Sequence, residues 1–261
     1  MYIDKEEYTN HIKDNEKKIK IRKILDQIQI VLNKHMIKTT DFLDPYEIYL
    51  AKSVLNRFVD LEYLVDGGYE HSERKIIVIY PNYISKEDIK IPLSSLEITG
   101  NLRDIDHKDY LGSILNLGLK REKIGDILVY DHSSIVIVKT EISDFLIYNL
   151  EKVKNRNVEI SIHNLKNIKD PKVSYKELIK FITSLRLDSV ISSTFNLSRK
   201  ESMNIINSGS IKVNFEVIEK SSKEIEEGDM ISVKGFGRFI LHEVRGRSKS
   251  DRFICIIRII L

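Results

Sequence analysis

The sequence predicts an α+β protein with three successive regions: a helical amino-terminal segment, a middle domain of alternating strands and helices, and a small carboxy-terminal module. Three patterns support this. Apolar residues recur at helical spacing through residues 21–32, strand-length apolar runs alternate with helical patterns over residues 75–163, and a capped helix near residue 198 is followed by a strand-like alternation. The predicted regions span residues 1–66, 67–170 and 180–261.

Length and composition exclude several classes of protein. The chain has 261 residues, of which 42% are hydrophobic, enough for two or three folded domains. No apolar run reaches the length that spans a bilayer, and residues 1–7 lack the apolar core of a secretory signal. The single cysteine, Cys255, lies in an apolar strand pattern and cannot form a disulfide or a cysteine zinc site within one chain. We therefore expect a cytoplasmic protein with no membrane partner and a buried Cys255.

Two helices are predicted in the amino-terminal segment. The first has an apolar face from Ile21 to Leu32. The second starts at Asp44 as its N-cap, with Pro45 at the first helical position and Glu47 completing a capping box, and runs through Phe58. A solvated helix face is favoured over an RNA contact for the lysines near the start of the first helix, which are Lys17, Lys18 and Lys20.

The middle domain follows a break at Gly67 and Gly68 and begins with an apolar strand at residues 75–80. The strand–helix–strand–strand–helix–strand order that follows predicts the ferredoxin-like arrangement shared by RNA-recognition motifs. Those motifs stack bases on aromatic residues of two central strands, whereas residues 135–138 are entirely aliphatic, so base stacking is not expected. The predicted strands are 91–98, 126–130, 134–140 and 158–163, and the predicted helices are 107–117 and 143–153.

The carboxy-terminal module contains a predicted phosphate-binding face. Ser198 and Glu201 form a capping-box pattern at a helix start, and Gly209 is placed to end the same helix. Arg199 and Lys200 then lie beside the exposed amides of the first turn, where a phosphate binds readily. Arg186, from the preceding helix, is expected to converge on this face.

Charge favours nucleic acid as the partner of this module. The whole chain has 42 Lys and Arg residues against 39 Asp and Glu, and residues 181–261 have 13 against 10, so the net excess of +3 lies in the last region. Residues 234–252 alone hold six cations and two anions. Such clustering is the electrostatic footprint of a nucleic-acid interface, although solvated loop charges are the competing interpretation.

The same module resembles the S-four domain, the RNA-binding domain named after the fourth protein of the small ribosomal subunit. The resemblance covers residues 184–258 and depends on the motifs at 186–188, 198–199, 209, 213–214 and 228–229. It implies two short helices that carry the basic contact face, backed by a small sheet. Phe215 departs from the glycine common at this position, which predicts a wider turn there. The predicted RNA-binding residues are Arg186, Ser198, Arg199, Lys200, Lys212, Asn214, Lys234 and Arg238.

Nearly the whole chain resembles the YlmH family of bacterial proteins, through motifs at residues 40–45, 67–75, 107–112 and 117–126. The resemblance implies a helical start, a ferredoxin-like middle domain and a carboxy-terminal S-four domain. It further implies a non-enzymatic RNA-binding protein of the large ribosomal subunit, acting in quality control of obstructed peptidyl-tRNA, with rRNA and tRNA as RNA partners. An older association of the family is with cell-division genes.

No catalytic or cofactor chemistry is predicted. The seven histidines are scattered without metal-ligand spacing, and Gly235–Gly237 lacks the third glycine and following helix of a dinucleotide site. We therefore expect no metal, no cofactor and no small-molecule substrate.

Two alternatives stay open. Residues 186–188 match the arginine-leucine-aspartate motif of pseudouridine synthases, which would make the chain an rRNA-modifying enzyme. Residues 189–192 continue a helix here, however, so we expect Asp188 to orient Arg186 or Arg199 instead. The other alternative is an adaptor protein linked to cell division.

Overall fold

The computed structural model describes residues 2–171 and 174–261 and confirms the α+β class. The chain divides into two compact units, residues 1–172 and 173–261, which we describe separately. The first unit begins with α1 (Lys5–Thr9), α2 (Asn15–Lys34), β1 (Lys38–Thr39), α3 (Pro45–Leu55), β2 (Leu61–Asp66) and β3 (Ile76–Pro81).

Capping and apolar spacing set the two predicted helices, but α3 ends at Leu55, so the predicted extension through Phe58 is wrong. Asp14 caps α2 by accepting from the backbone N–H groups of Glu16 and Lys17, and His35 ends that helix in the left-handed conformation. The capping box of Asp44 and Glu47 is present at the start of α3, behind Pro45. The apolar faces of both helices pack into one core with β3.

The prediction that the lysines of α2 form a solvated face is wrong. Lys17 is buried, and its Nζ lies 3.2 Å from Oδ2 of Asp44, while the Nζ of Lys20 lies 2.6 Å from Oε1 of Glu47. The two carboxylates of the α3 capping box therefore also form ion pairs with lysines of α2, because buried carboxylates need cationic partners. Lys18 pairs with Glu6 on α1.

A three-stranded antiparallel sheet with the order β1-β3-β2 completes this part of the unit. The glycines Gly67 and Gly68 lie between β2 and β3, so they connect two strands of one sheet. Gly68 has a φ of +93°, a conformation in which L side chains are rare.

The rest of the first unit is a five-stranded antiparallel sheet with two helices. Its strand order is β5-β6-β4-β8-β7. The predicted helix at 143–153 ends earlier, because Lys152 and Val153 pair with Arg156 and Asn157 in a hairpin. The elements are β4 (Leu93–Gly100), α4 (His107–Asn116), β5 (Ile124–Val129), β6 (Ser133–Lys139), α5 (Ser143–Asn149), β7 (Lys152–Val153) and β8 (Arg156–His163).

The two faces of the middle sheet are covered by different elements. The helices α4 and α5 pack on one face, around Val136 and Val138. On the other face Ile137 is fully buried in a cluster with Phe42 and Ile76 from the preceding sequence. The amino-terminal segment thus occupies the face of β6 that would have to be open for base stacking.

Asp126 of β5 links the loop before β3 to the middle sheet through hydrogen bonds. Its carboxylate accepts from the backbone N–H of Glu73 at 2.6 Å, from that of Arg74 at 3.1 Å and from the Tyr69 hydroxyl at 3.0 Å. Burial and the adjacent Asp126 charge raise the pKa of Tyr69, so its hydroxyl stays a donor.

Substitutions at two glycines test how tightly the amino-terminal segment packs against the middle sheet. A Cβ on Gly125 would lie 2.7 Å from Cε1 of Phe42 and 3.2 Å from the carbonyl oxygen of Ile137. We expect Gly125→Ala to lower the free energy of unfolding by about 1–3 kcal/mol, since the core has no room for a methyl group. Urea unfolding followed by circular dichroism measures the change. The control is Gly112→Ala in α4, where nothing lies within 4 Å; it should be neutral or stabilising.

The second unit is a six-stranded antiparallel sheet with two helices on one face. The strand order is β11-β10-β12-β13-β14-β9, which places β9 at one edge. Its elements are β9 (Tyr175–Ile182), α6 (Leu187–Phe195), α7 (Arg199–Asn207), β10 (Ile211–Val213), β11 (Glu216–Val217), β12 (Met230–Val233), β13 (Gly237–Arg247) and β14 (Phe253–Ile260).

The core of the second unit lies between the two helices and the sheet. Val190, Ile191 and Ile206 of the helices pack against the alternate strand residues that include Phe239 and Cys255. Cys255 is buried as predicted, and burial raises the pKa of its thiol. None of the helices in residues 2–171 and 174–261 is long and apolar enough to cross a membrane.

Candidate nucleic-acid interface

The junction of α6 and α7 positions the predicted phosphate contacts. Ser198 accepts from the N–H of Glu201 at 3.2 Å, and the Glu201 carboxylate accepts from the N–H of Ser198 at 2.7 Å, which completes the capping box. Hydrogen bonding to the Ser198 hydroxyl, and then to the Ser198 backbone N–H, lowers the pKa of the Glu201 carboxyl below its ordinary value. Arg199 and Lys200 occupy the first helical positions after this cap, and both are exposed.

A buried carboxylate organises the two arginines. The Asp188 side chain has no solvent exposure, and it accepts from Nε and NH2 of Arg186 at 3.2 and 3.1 Å. Nε of Arg199 lies 3.5 Å from Oδ2 of the same carboxylate. The N–H of Ser189 donates to Oδ1 at 3.0 Å. Asp188 therefore orients both arginines, where the sequence predicted one or the other.

The arginines keep donors for a ligand. The side chain of Arg186 is 39% exposed and that of Arg199 is 71% exposed. A guanidinium has five N–H donors in a fixed plane, and Asp188 uses two of those on Arg186. With one edge held by the carboxylate, the Arg186 guanidinium is pre-oriented to meet a second anion, and phosphate matches its geometry.

Lys212 and Arg238 lie on the opposite face of the sheet from the helices. The register aligns Lys212 with Ser232 and Ser232 with Arg238, so these three side chains share one face. Their sequence neighbours, such as Ile211 and Phe239, point into the helix-covered core. The guanidinium of Arg238 lies 5.7 Å from the centre of the Phe215 ring. The structure thus separates this pair from the arginines at the helices.

Asn214 and Lys234 are turn residues. The amide of Asn214 donates to Asp229 at 2.7 Å and accepts from the N–H of Met230 at 3.0 Å, so both ends are engaged within the protein. The backbone N–H of Lys234 donates to the carbonyl of Ser210. Of the eight predicted residues, the structure brings Arg186, Ser198, Arg199 and Lys200 to one region.

The wider turn predicted at Phe215 is wrong. Val213 pairs with Glu216, which leaves a two-residue hairpin loop. Asn214 and Phe215 both have positive φ angles, +48° and +69°, as a tight turn of this kind requires. Phe215 therefore adopts a conformation that favours glycine, and its ring is placed beside Arg238.

A groove that no sequence motif predicted lies beside the arginines. It lies between β9 and α6, has a volume of about 430 Å³, and is lined by residues that include Phe181, Arg186 and Arg199. Its hydroxyl groups come from Thr183, Ser184, Ser189, Ser192 and Ser193. The spacing of the last three serines puts them on one helical face, which is the signal that the sequence offered.

Across residues 2–171 and 174–261, no group of three or more His, Cys, Asp or Glu side chains is arranged to hold a metal ion.

Two short helices that carry basic residues, backed by a sheet, have the architecture expected of an S4-domain protein. Residues 185–231 match the family described as "S4 domain". Residues 16–84 match "YlmH, N-terminal", and residues 85–167 match "Putative RNA-binding domain in YlmH". The chain belongs to the YlmH family.

One relative and one solved structure are similar to this chain. The chain is 32% identical over 235 residues to "Ribosome-associated protein quality control protein P2" of Bacillus subtilis (strain 168), covering 89% of this chain and 91% of the relative. It also resembles the structure of "Cell division protein ylmH from Streptococcus pneumoniae", with a TM-score of 0.53 and 22% identity. That match covers 60% of this chain and 96% of the solved one, and it shows the fold alone.

Proposed function

We propose that this protein is a non-enzymatic, cytoplasmic RNA-binding protein that acts on the ribosome. Its S4 domain contacts structured RNA through phosphates, and its partners are rRNA and tRNA on a large subunit that carries obstructed peptidyl-tRNA. Membership of the YlmH family and the ribosome-associated quality-control name of the Bacillus subtilis relative support this proposal.

The observation that carries the proposal is the pair of arginines held by Asp188. Arg186 and Arg199 share one carboxylate, so their free N–H groups are fixed on one surface beside Lys200. Phosphate contacts of this kind set position and affinity, and they give little base specificity. RNA shape is then the main determinant of binding.

The environment of Asp188 disfavours the pseudouridine synthase alternative. A catalytic carboxylate has to reach the base on which it acts, whereas the Asp188 side chain is fully buried. Both of its oxygens are bound by arginine, and its α6 neighbours Leu187 and Val190 are buried in the core of the second unit. The same residue accounts for the arginine geometry without any reaction.

The test is sedimentation of the tagged full chain with ribosomes, followed by crosslinking to identify the RNA helix that it touches. We expect the protein to sediment with the large subunit and to crosslink to RNA through the second unit. Protein that remains at the top of the gradient under low salt contradicts the proposal. Retention of a division protein after RNase treatment supports the adaptor alternative instead.

The middle domain is expected to lack base stacking on its sheet. Ile135 and Ile137 are buried, and Phe42 and Ile76 cover the face at Ile137. Addition of an RNA hairpin should therefore leave the methyl NMR signals of these two isoleucines unchanged, while signals of the second unit move. Ring-current shifts of the Ile137 methyl groups on RNA binding are the result that contradicts this.

A further inference from the structure

The turn between β12 and β13 carries an exposed aromatic ring on the helix side of the second unit. Residues 234–236 form this turn between the paired ends of the two strands. Phe236 is 44% exposed, and the centre of its ring lies 5.2 Å from that of Phe195 at the end of α6. Phe195 in turn contacts Phe239, which is buried in the core beneath the helices. The Phe236 ring therefore lies on the same side of the sheet as α6 and α7.

Hydrogen bonds fix the backbone of this turn. The N–H of Phe236 donates to the carbonyl of Val233 at 3.0 Å, and the N–H of Lys234 donates to the carbonyl of Ser210 at 3.0 Å. Gly235 has a φ of +85°, the sign that the third position of a type II turn requires. Because the turn is already ordered, a ligand of the Phe236 ring would not have to offset the cost of ordering it.

The Phe236 ring is accessible to a planar ligand. Its plane is inclined by 49° to that of Phe195, so the second ring does not lie flat on the first. A Cβ on Gly235 or Gly237 would meet no atom within 4 Å, so both sides of the turn face open space. A flat group can therefore approach the ring without displacing neighbouring residues.

The charges around the turn favour an anionic partner. Lys234, beside the aromatic ring, is exposed, and residues 231–241 contain no Asp or Glu. The two segments that hold the turn in place, residues 189–200 and 202–215, contain no Asp or Glu either. An exposed aromatic ring in a cationic setting is the combination with which proteins bind unpaired nucleotides.

The ring is also close to the proposed phosphate face. Phe195, which the ring contacts, precedes Arg199 by four residues, a span of at most about 14 Å. Arg199 and Lys200 are exposed at the start of α7, on the same side of the sheet. An RNA whose phosphates meet these two residues therefore has nucleotides within reach of the Phe236 ring.

We propose that Phe236 stacks on one unpaired base of the RNA, while Lys234 meets a phosphate beside that base. Arg199 and Lys200 hold further phosphates of the same RNA. A paired base is covered by its neighbours in the helix, so the base that stacks on Phe236 has to be unpaired. This inference rests on the proposed function and names the kind of RNA that the domain selects, a helix with an unpaired nucleotide.

An apolar side chain of a protein partner is the competing ligand for this ring. Within residues 204–260, all of which the structure describes, Phe236 is the only large apolar side chain that is exposed. Sites for protein partners expose a contiguous apolar patch, whereas a single ring near cations suits a base and its phosphate. The surroundings of the turn therefore favour RNA.

The probes are two short RNA duplexes of the same sequence, one fully paired and one with a single additional unpaired adenosine. We expect the full-length chain to bind the second more tightly. Phe236→Leu keeps an apolar contact with Phe195 but removes the ring. It should weaken binding to the duplex with the unpaired adenosine by about tenfold, the loss typical of a base–aromatic stack, and change the paired duplex by less than about twofold. Phe236→Tyr keeps a ring and should retain both affinities.

Phe181→Leu is the matched control, since Phe181 belongs to the same unit and is 53% exposed. Its neighbour Ile182 is buried in the core beneath the helices, so the Phe181 side chain lies on the opposite face of the sheet. This variant should bind both duplexes like the unaltered chain. Urea unfolding of the Phe236→Leu chain should give a midpoint close to that of the unaltered chain, because the ring lies outside the core.

The outcomes separate this inference from the proposed function. Equal affinity of the unaltered chain for the two duplexes, or equal losses on both with Phe236→Leu, overturns base stacking while RNA binding by the phosphate face still stands. If Arg199→Ala leaves both duplexes bound as before, the proposed phosphate face fails, and this inference fails with it. Unchanged duplex binding by Phe236→Leu, together with weaker sedimentation with ribosomes, assigns the ring to a protein partner and also overturns the inference.

Discussion

The double variant Arg199→Ala, Lys200→Ala is expected to bind structured RNA about a hundredfold more weakly than the unaltered chain. Each residue offers one phosphate contact, and a hydrogen bond to a charged group contributes about 1.5–3 kcal/mol. The loss should be similar for RNAs of different sequence, because phosphates carry no base identity. Salt titration should show the slope of log affinity against log salt flattened by about two units.

The fold of this double variant should be preserved. The Asp188 carboxylate keeps its two bonds to Arg186, and Arg199 and Lys200 are exposed. Lys176→Ala, Lys249→Ala makes the same change in net charge at two other exposed lysines of the second unit and serves as the control. An equal loss of affinity in both double variants means that net charge, and not this face, determines binding.

Arg186→Ala should unfold the helix junction more readily as well as weaken RNA binding. Removal of this guanidinium leaves the buried Asp188 with the N–H of Ser189 at 3.0 Å and with Arg199 at 3.5 Å as its remaining partners. A buried carboxylate that loses its main partner costs about 2 kcal/mol or more. Hydrogen exchange of the α6 amides, together with urea unfolding, measures the loss.

A second substitution separates stability from binding. Asp188→Asn in the Arg186→Ala chain removes the unpaired charge, so slow exchange in α6 should largely return while RNA affinity stays low. Restored affinity together with restored protection would show that Arg186 acts only through the fold. Asp188→Asn alone should have a milder effect on RNA affinity than loss of either arginine.

Local rules predicted the elements that are set by local sequence. The capping boxes at Asp44 and Ser198, the apolar face from Ile21 to Leu32 and the buried Cys255 all follow from spacing within a few residues. The position of Arg199 could also be predicted from the sequence, because Ser198 as the N-cap sets α7 to begin at Arg199.

Features that depend on residues far apart in the chain could not be predicted from local sequence. Lys17 looked solvated because its partner, Asp44, lies in another helix. The cover over Ile137 comes from Phe42, which no local pattern links to β6. The tight turn at Phe215 contradicts the usual preference for glycine, since the adjacent strand pairing determines its geometry. The groove at β9 needs a strand edge and a helix that meet only in the folded unit.

Because Asp188 binds the arginines of the proposed RNA face, RNA affinity and the abundance of the protein in the cell should depend on the same contacts. Proteases and chaperones act on the fraction of molecules that is transiently open, so a stability loss of about 1–2 kcal/mol changes abundance several-fold. We therefore expect a chain that loses Arg186 to become less abundant as well as to bind RNA more weakly. Genetic screens that score growth should register the two effects as one.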